Sequence, residues 1–180
     1  MLEIIKLGGS VVTNKNKSMT PNLDSIFRIS REISAAKPKD LIIIHGGGSF
    51  GHPLAKEYSI SEGYAQKKQL NGYSLTHQAM VKLNTIIVDA LLDSGVPAIS
   101  VAPSSFITTS KKRITQLDLS VILNYLKIGM IPILYGDTIL DSEIGFTILS
   151  GDQLAVRLAT ELRANRLIFG VDVDLSLIHI

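Results

Sequence analysis

Three consecutive glycines, Gly46-Gly47-Gly48, follow the apolar run Leu41 to Ile44, and His52 stands four residues beyond them. A short apolar run bounded by glycine predicts a buried strand. Glycines at a strand end leave the backbone free of side chains, so their N–H groups can converge on an anion as a phosphate-binding nest. An imidazole at His52 would touch whatever that nest holds. Lys6-Leu7-Gly8-Gly9-Ser10 repeats the design at the end of the first strand, Leu2 to Lys6, with a lysine beside the glycines. In a parallel sheet both turns lie at carboxyl ends of strands, where ligands bind. Two anion loops on one edge would set two anions face to face, the layout that phosphoryl transfer requires.

Other glycine signatures fit less well. Gly46-x-Gly48-x-x-Gly51 has the spacing of a dinucleotide fingerprint, which needs a second strand ending in an acidic residue about 20 positions on. Gly63 to Leu75 holds no Asp or Glu and does not read as a strand. A P-loop is excluded, because His52-Pro53 follows Gly51 in place of Lys-Ser/Thr. Lys15, in the polar loop Asn14 to Ser18, reads either as a surface lysine or as a mobile charge that reaches phosphates. Asp152, in Ser150-Gly151-Asp152, suits a helix N-cap, an orienting partner for Lys6 or a magnesium ligand. Tyr135-Gly136-Asp137 offers the same choice, and Asp172 and Asp174 are candidates for nucleotide contact. His45 reads as a packing residue, and His77, near Tyr73, as structural.

Bulk properties narrow the function classes. The chain has 180 residues, is 46% hydrophobic and 19% charged, and has no cysteine. It is long enough for one sizeable core, and disulfides, cysteine zinc sites and thiol catalysis are excluded. With 18 basic and 16 acidic residues, the net charge of +2 is too balanced for binding nucleic acid through a basic surface. No apolar stretch approaches the roughly 20 residues of a membrane span. Met1 to Lys6 enters a strand pattern directly and lacks the regions of a signal peptide. The expected location is cytoplasmic, with no membrane and no nucleic acid as partner.

The elements that must position these loops alternate. Thr20-Pro21 predicts a helix start, with Leu23, Ile26, Phe27, Ile29 and Ile33 on one apolar face. Val11 to Thr13 is expected to resume extended structure. Helices are expected over Leu75–Asp93, Gln116–Ile128 and Asp152–Ala164, and strands over Ala98–Ala102, Met130–Tyr135 and Arg166–Val171. The apolar stripe of the 75–93 helix reads as core more than as a substrate pocket. Asp141 to Gly145 predicts the turn of a β-hairpin. Alternation of this kind implies a parallel sheet covered on both faces.

Lys6 to Ser10, His45 to His52, Asn71 to Ser74 with His77, Tyr135 to Asp137 and Ser150 to Asp152 together resemble the amino acid kinase superfamily. Within it they resemble the isopentenyl phosphate kinase family. The Gly-Gly-Gly-Ser-Phe-Gly-His form discriminates, since relatives acting on acetylglutamate, carbamate or UMP do not place a histidine there, whereas fosfomycin-type kinases do. The resemblance implies an α/β fold, a three-layer α/β/α sandwich with a mainly parallel central sheet, and a homodimer. It implies an ATP- and Mg2+-dependent phosphotransferase acting on a small-molecule phosphate, converting isopentenyl phosphate to its diphosphate. Carried over by position, Lys6 and Lys15 contact the transferring phosphoryl group. Gly8, Gly9, Ser10 and Gly48, with Asp172, serve the nucleotide. Gly47, His52 and Gly151 hold the acceptor phosphate, and Asp152 organises the lysines. The likeness runs from residue 1 to about 174. Residues 175–180 depart from the family pattern, which predicts a domain incomplete in its nucleotide-binding part, followed by a foreign tail.

Overall fold

The computed structural model describes residues 1–172, so Asp174 and the tail at 175–180 lie outside the described residues. In chain order the elements are β1 (Leu2–Leu7), the single turn α1 (Gly9–Val12), α2 (Leu23–Ala36), β2 (Asp40–His45), α3 (Gly48–Glu57) and α4 (Lys68–Asp93). Then come β3 (Ala98–Ser100), β4 (Ile107–Ser110), β5 (Arg113–Leu117), α5 (Ser120–Lys127), β6 (Ile131–Tyr135), β7 (Asp137–Asp141), β8 (Gly145–Leu149), α6 (Gly151–Glu161) and β9 (Arg166–Gly170). The central sheet runs β3-β6-β2-β1-β9 and all its pairings are parallel. Leu7 pairs with His45 on one side and Gly170 on the other, and His45 pairs with Tyr135, so four strands end on one line.

Alternation along β2 builds two cores. Leu41 and Ile43 face one cluster, with Ile26 and Ile33 of α2, Phe50 of α3 and Leu83 and Ile87 of α4. Ile42 and Ile44 face the other, with Ile122 of α5 and Leu154 and Leu158 of α6. This is the expected helix–sheet–helix layering, because a strand buried on both faces needs cover on both.

Several boundaries differ from expectation. Residues Gly9 to Val12 form a helical turn, since Thr13 N–H donates to Gly9 O at 2.9 Å and closes it. Helix α2 starts at Leu23, capped by the Asn22 side chain, which accepts from Ser25 N–H. Of its expected apolar face, Leu23 and Phe27 are exposed. Helix α4 begins seven residues before Leu75, and Gly72 sits inside it because the Tyr58 ring occupies the space a Cβ would need. Gln116 lies in β5, and the helix after it starts only at Ser120.

A second sheet, β5-β4-β7-β8, contains the expected hairpin and one unforeseen hairpin. Asp141, buried at 3% exposure, ties their turns together. It accepts from Lys111 N–H (3.2 Å), Lys112 N–H (2.8 Å), Glu143 N–H (3.0 Å), Ile144 N–H (3.1 Å) and Thr109 Oγ1 (2.8 Å). Burial pushes its pKa up, but these donors, led by the Lys112 N–H, outweigh burial and hold it far below the carboxylate range. A depressed folded-state pKa contributes stability that is complete above the unfolded value of about 4 and is lost as pH falls toward the folded one. Asp141→Asn is therefore expected to cost about 1.5–3 kcal/mol at neutral pH, the range for hydrogen bonds to a charged group. That is a fall of roughly 3–12 °C in melting temperature for a domain of this size. Melting curves from pH 7 to pH 3 should show the gap to the wild type closing on acidification.

Candidate active site

The two glycine loops touch through their backbones. A Cβ at Gly9 would collide with Gly48 N and fall 2.6 Å from Gly48 Cα. Gly48 has φ +47°, in the left-handed region. Thr13 staples the loops: its hydroxyl donates to Gly9 O at 2.6 Å and accepts from Ser49 N–H at 3.0 Å. The triplet opens α3, with Gly47 at the N-cap. The nest is thus a helix N-terminus, whose first N–H groups lack intrahelical partners and attract anions. His52 is the fifth residue of that helix and is exposed.

Helix α6 brings a second N-terminus to the same place. Its cap is the Ser150 hydroxyl, which accepts from Gln153 N–H at 3.1 Å. Asp152 is therefore not the cap, and its carboxylate is free to pair with Lys6, Oδ1 to Nζ at 2.7 Å. Lys6 is 9% exposed, held at the penultimate position of β1. Lys15 reaches across to Asp172, which also accepts from Ser10 Oγ at 2.6 Å. The Lys15 ammonium first, and then the Ser10 hydroxyl, hold the Asp172 carboxyl below its usual range.

Two spaces meet at these groups. A small cavity of about 140 Å³ is lined by Lys6, Gly47, His52, Met80, Asp137 and Gly151, among others. An open cleft of about 670 Å³ is lined by Lys6, Gly8, Ser10, Lys15, Gly48 and His52, among others. Lys6, Gly9 and His52 belong to both. The residues expected to serve the acceptor, Gly47, His52 and Gly151, line the smaller cavity. Those expected to serve the nucleotide, Gly8, Gly9, Ser10 and Gly48, line the open side, and Asp172 borders a neighbouring recess with Ser10 and Lys15. Two bodies, one in each space, would have their near ends at Lys6.

Three further residues complete the wall, and of these only Asp137, in Tyr135-Gly136-Asp137, stood among the sequence candidates. Thr76 and Met80 of α4 line the smaller cavity, so the stripe read as core is shared between core and pocket. Asp137, with its side chain fully buried, accepts from Thr138 N–H at 2.8 Å and faces His77 Nδ1 at 2.9 and 3.0 Å. That hydrogen bond raises the His77 pKa against the opposing effect of partial burial. Among the described residues, no group of three His, Asp or Glu is placed to hold a metal ion, and no helix is long and apolar enough to cross a membrane.

Comparison with known proteins agrees with this geometry. The family model of the amino acid kinase family matches residues 1–175. The chain belongs to that family. It is 45% identical over 179 residues to isopentenyl phosphate kinase of Methanothermobacter thermautotrophicus, covering 95% of this chain and 67% of the relative. It is 40% identical to the isopentenyl phosphate kinase of Methanocaldococcus jannaschii, covering 97% and 70% of the two chains. A crystal structure of the Thermoplasma acidophilum isopentenyl phosphate kinase product complex superposes with TM-score 0.86 at 32% identity, over 97% of this chain and 71% of that one. Aspartate kinase from Synechocystis, at 19% identity and TM-score 0.70, shares the fold.

Proposed function

We propose that this chain transfers the γ-phosphoryl group of ATP to isopentenyl phosphate, forming isopentenyl diphosphate and ADP. One observation carries the reading beyond the likeness to the isopentenyl phosphate kinases. A small, largely apolar pocket and a wider cleft join at a buried lysine between two backbone nests. The acceptor is a phosphate monoester with a second pKa of about 6, so at neutral pH it is already a dianionic nucleophile. No strong general base is required. The obstacle is repulsion between two anions, and fixed cations and N–H dipoles answer it.

The roles follow. Gly47 N–H, the α6 N-terminus at Gly151 and the His52 imidazole hold the acceptor phosphate in the smaller cavity. Gly8, Gly9, Ser10 and Gly48 face the nucleotide phosphates. Lys6, oriented by Asp152, lies between acceptor and donor and follows the charge as it moves. Lys15, tethered by Asp172 before substrate arrives, supplies a second cation. Asp152, in the wall of the smaller cavity, and Asp172, in the recess beside the cleft, already face ammonium groups. Magnesium therefore fits here as an ion carried on the nucleotide phosphates, a common arrangement for ATP enzymes. A homodimer belongs to the same proposal and is tested by sedimentation.

The experiment is phosphate transfer from ATP, with isopentenyl phosphate and fosfomycin as competing acceptors, in the protein carrying these residues. Turnover of isopentenyl phosphate supports the reading. Turnover of fosfomycin alone, or phosphate binding without turnover, overturns it. His52→Ala tests the donor role. Loss of one hydrogen bond to a charged group should lower kcat/KM for the acceptor about 10- to 100-fold. His52→Asn or His52→Gln, which still donates, should retain part of it. Unchanged kinetics for His52→Ala would remove His52 from the site.

A further inference from the structure

His45, which the reaction just described does not use, is fully buried at the end of β2, its ring stacked on Tyr135 with centroids 5.5 Å apart. We infer that His45 is a positioning residue: its Nδ1 proton holds the Gly46 carbonyl and thereby aims the Gly47 N–H into the acceptor cavity. The inference rests on the proposed reading of that cavity. Its physical basis is the peptide plane. The carbonyl of Gly46 and the N–H of Gly47 belong to one trans peptide and point in opposite directions. Nδ1 lies 3.2 Å from Gly46 O. Anchoring that oxygen on the buried side turns the N–H at the other end of the same plane toward the cavity that Gly47 lines. With no side chain on either residue, the backbone here has more accessible conformations than any other pair would allow, and beyond the bonds that Gly46 N–H and Gly47 O make to Leu7, Phe50 and Gly51, the Nδ1 contact is the one that fixes the Gly46 carbonyl itself.

The surroundings of the ring decide which nitrogen carries the proton. Burial, opposed by the bonds to Gly46 and Asn84, lowers the His45 pKa to about 4, so near neutral pH the ring has one proton. The Asn84 amide lies between the ring and Ser100, with one end 3.2 Å from Nε2 and the other 2.6 Å from Ser100 Oγ. If the single proton sat on Nε2, the Nδ1 lone pair would face the Gly46 carbonyl oxygen, acceptor against acceptor. With the proton on Nδ1, a half-turn of the Asn84 amide puts its NH2 against Nε2 and its oxygen against the Ser100 hydroxyl. At each contact along Ser100, Asn84, His45 and Gly46 a donor then faces an acceptor. The chain reaches from the end of β3, through α4, to the glycine loop. His45 O also accepts from Gly136 N–H at 3.0 Å, so the backbone of the residue is pinned while its ring acts.

The first test is the ring itself. In protein labelled with 15N-histidine, the signal absent from His45→Asn identifies His45, and its nitrogen shifts report which atom is protonated. Protonated Nδ1 with bare Nε2 is expected, and the opposite tautomer overturns the inference. This readout stands even if isopentenyl phosphate is not turned over, a result that would sink the functional reading separately. The second test is kinetic. An asparagine amide can reach where Nδ1 stands, and a glutamine amide where Nε2 stands. His45→Gln is expected to raise the acceptor KM about tenfold or more while the ATP KM changes less than threefold. His45→Asn should recover at least a third of the lost acceptor kcat/KM. Equal increases in both KM values, or no difference between the two variants, would show a role in packing only.

Discussion

Lys6→Ala is expected to lower kcat about 10²- to 10³-fold at saturating substrates, the usual consequence of deleting one preorganised donor to developing charge. In free energy this is about 2.7–4 kcal/mol of transition-state stabilisation. The loss should appear mainly in kcat, because Lys6 stands where the acceptor cavity and the donor cleft join and meets the charge that passes between them. The fold should survive the change. The partner left behind, Asp152, has a side chain 62% exposed, so water can solvate its carboxylate. Asp152→Asn removes only the orienting charge and should cost about tenfold, less than the lysine itself, since Lys6 remains walled in by β1 and the α6 N-terminus. Single-turnover measurements with both variants would check the order. A Lys6→Ala enzyme with unchanged kcat and a raised ATP KM would reduce Lys6 to ground-state binding.

How far such residues can be found from sequence depends on what each needs from the fold. The glycine loops were legible because their chemistry resides in the backbone: a lysine or histidine beside consecutive glycines at a strand end already implies the nest. The parallel sheet was legible because β2 and β6 are apolar on both faces. The β4–β5 hairpin was not. Its turn uses Lys111 and Lys112 at φ +48° and +67°, with no glycine or asparagine to signal it. Asp141, about thirty residues later, supplies the hydrogen bonds that make those angles tolerable. The start of α4 was hidden by Gly72, which reads as a helix breaker until Tyr58 is seen packed on it. Asp137 needs His77, sixty residues away, and Thr13 needs Ser49, thirty-six residues away. Local pattern carries backbone chemistry and helix faces, whereas pairings across the sheet edge are visible only when the strands are in register.

The closeness of the two loops also makes Gly9→Ala a test of the whole arrangement. A methyl there would meet the backbone of Gly48 on its near side, and backbone cannot swing aside as a flexible side chain does. One loop must move by a large fraction of an ångström or more, and Thr13 transmits that shift to Ser49 and the first turn of α3. Displacements near 1 Å at a positioning element cost on the order of 10²-fold in rate. Gly9→Ala should therefore lower kcat/KM for both substrates about 100-fold, because both nests are moved. The neighbouring Gly8→Ala is the internal comparison. Its Cβ would stand 3.1 Å from Gly170 O, a contact that a shift of a few tenths of an ångström relieves, and Gly8 has φ −57°, which alanine adopts readily. A loss of less than about tenfold is expected there. Thermal unfolding of both variants separates misplacement from collapse: Gly9→Ala should still unfold cooperatively, with a lowered midpoint. Equal kinetics for the two variants would mean that contact between the loops does not set the distance between donor and acceptor.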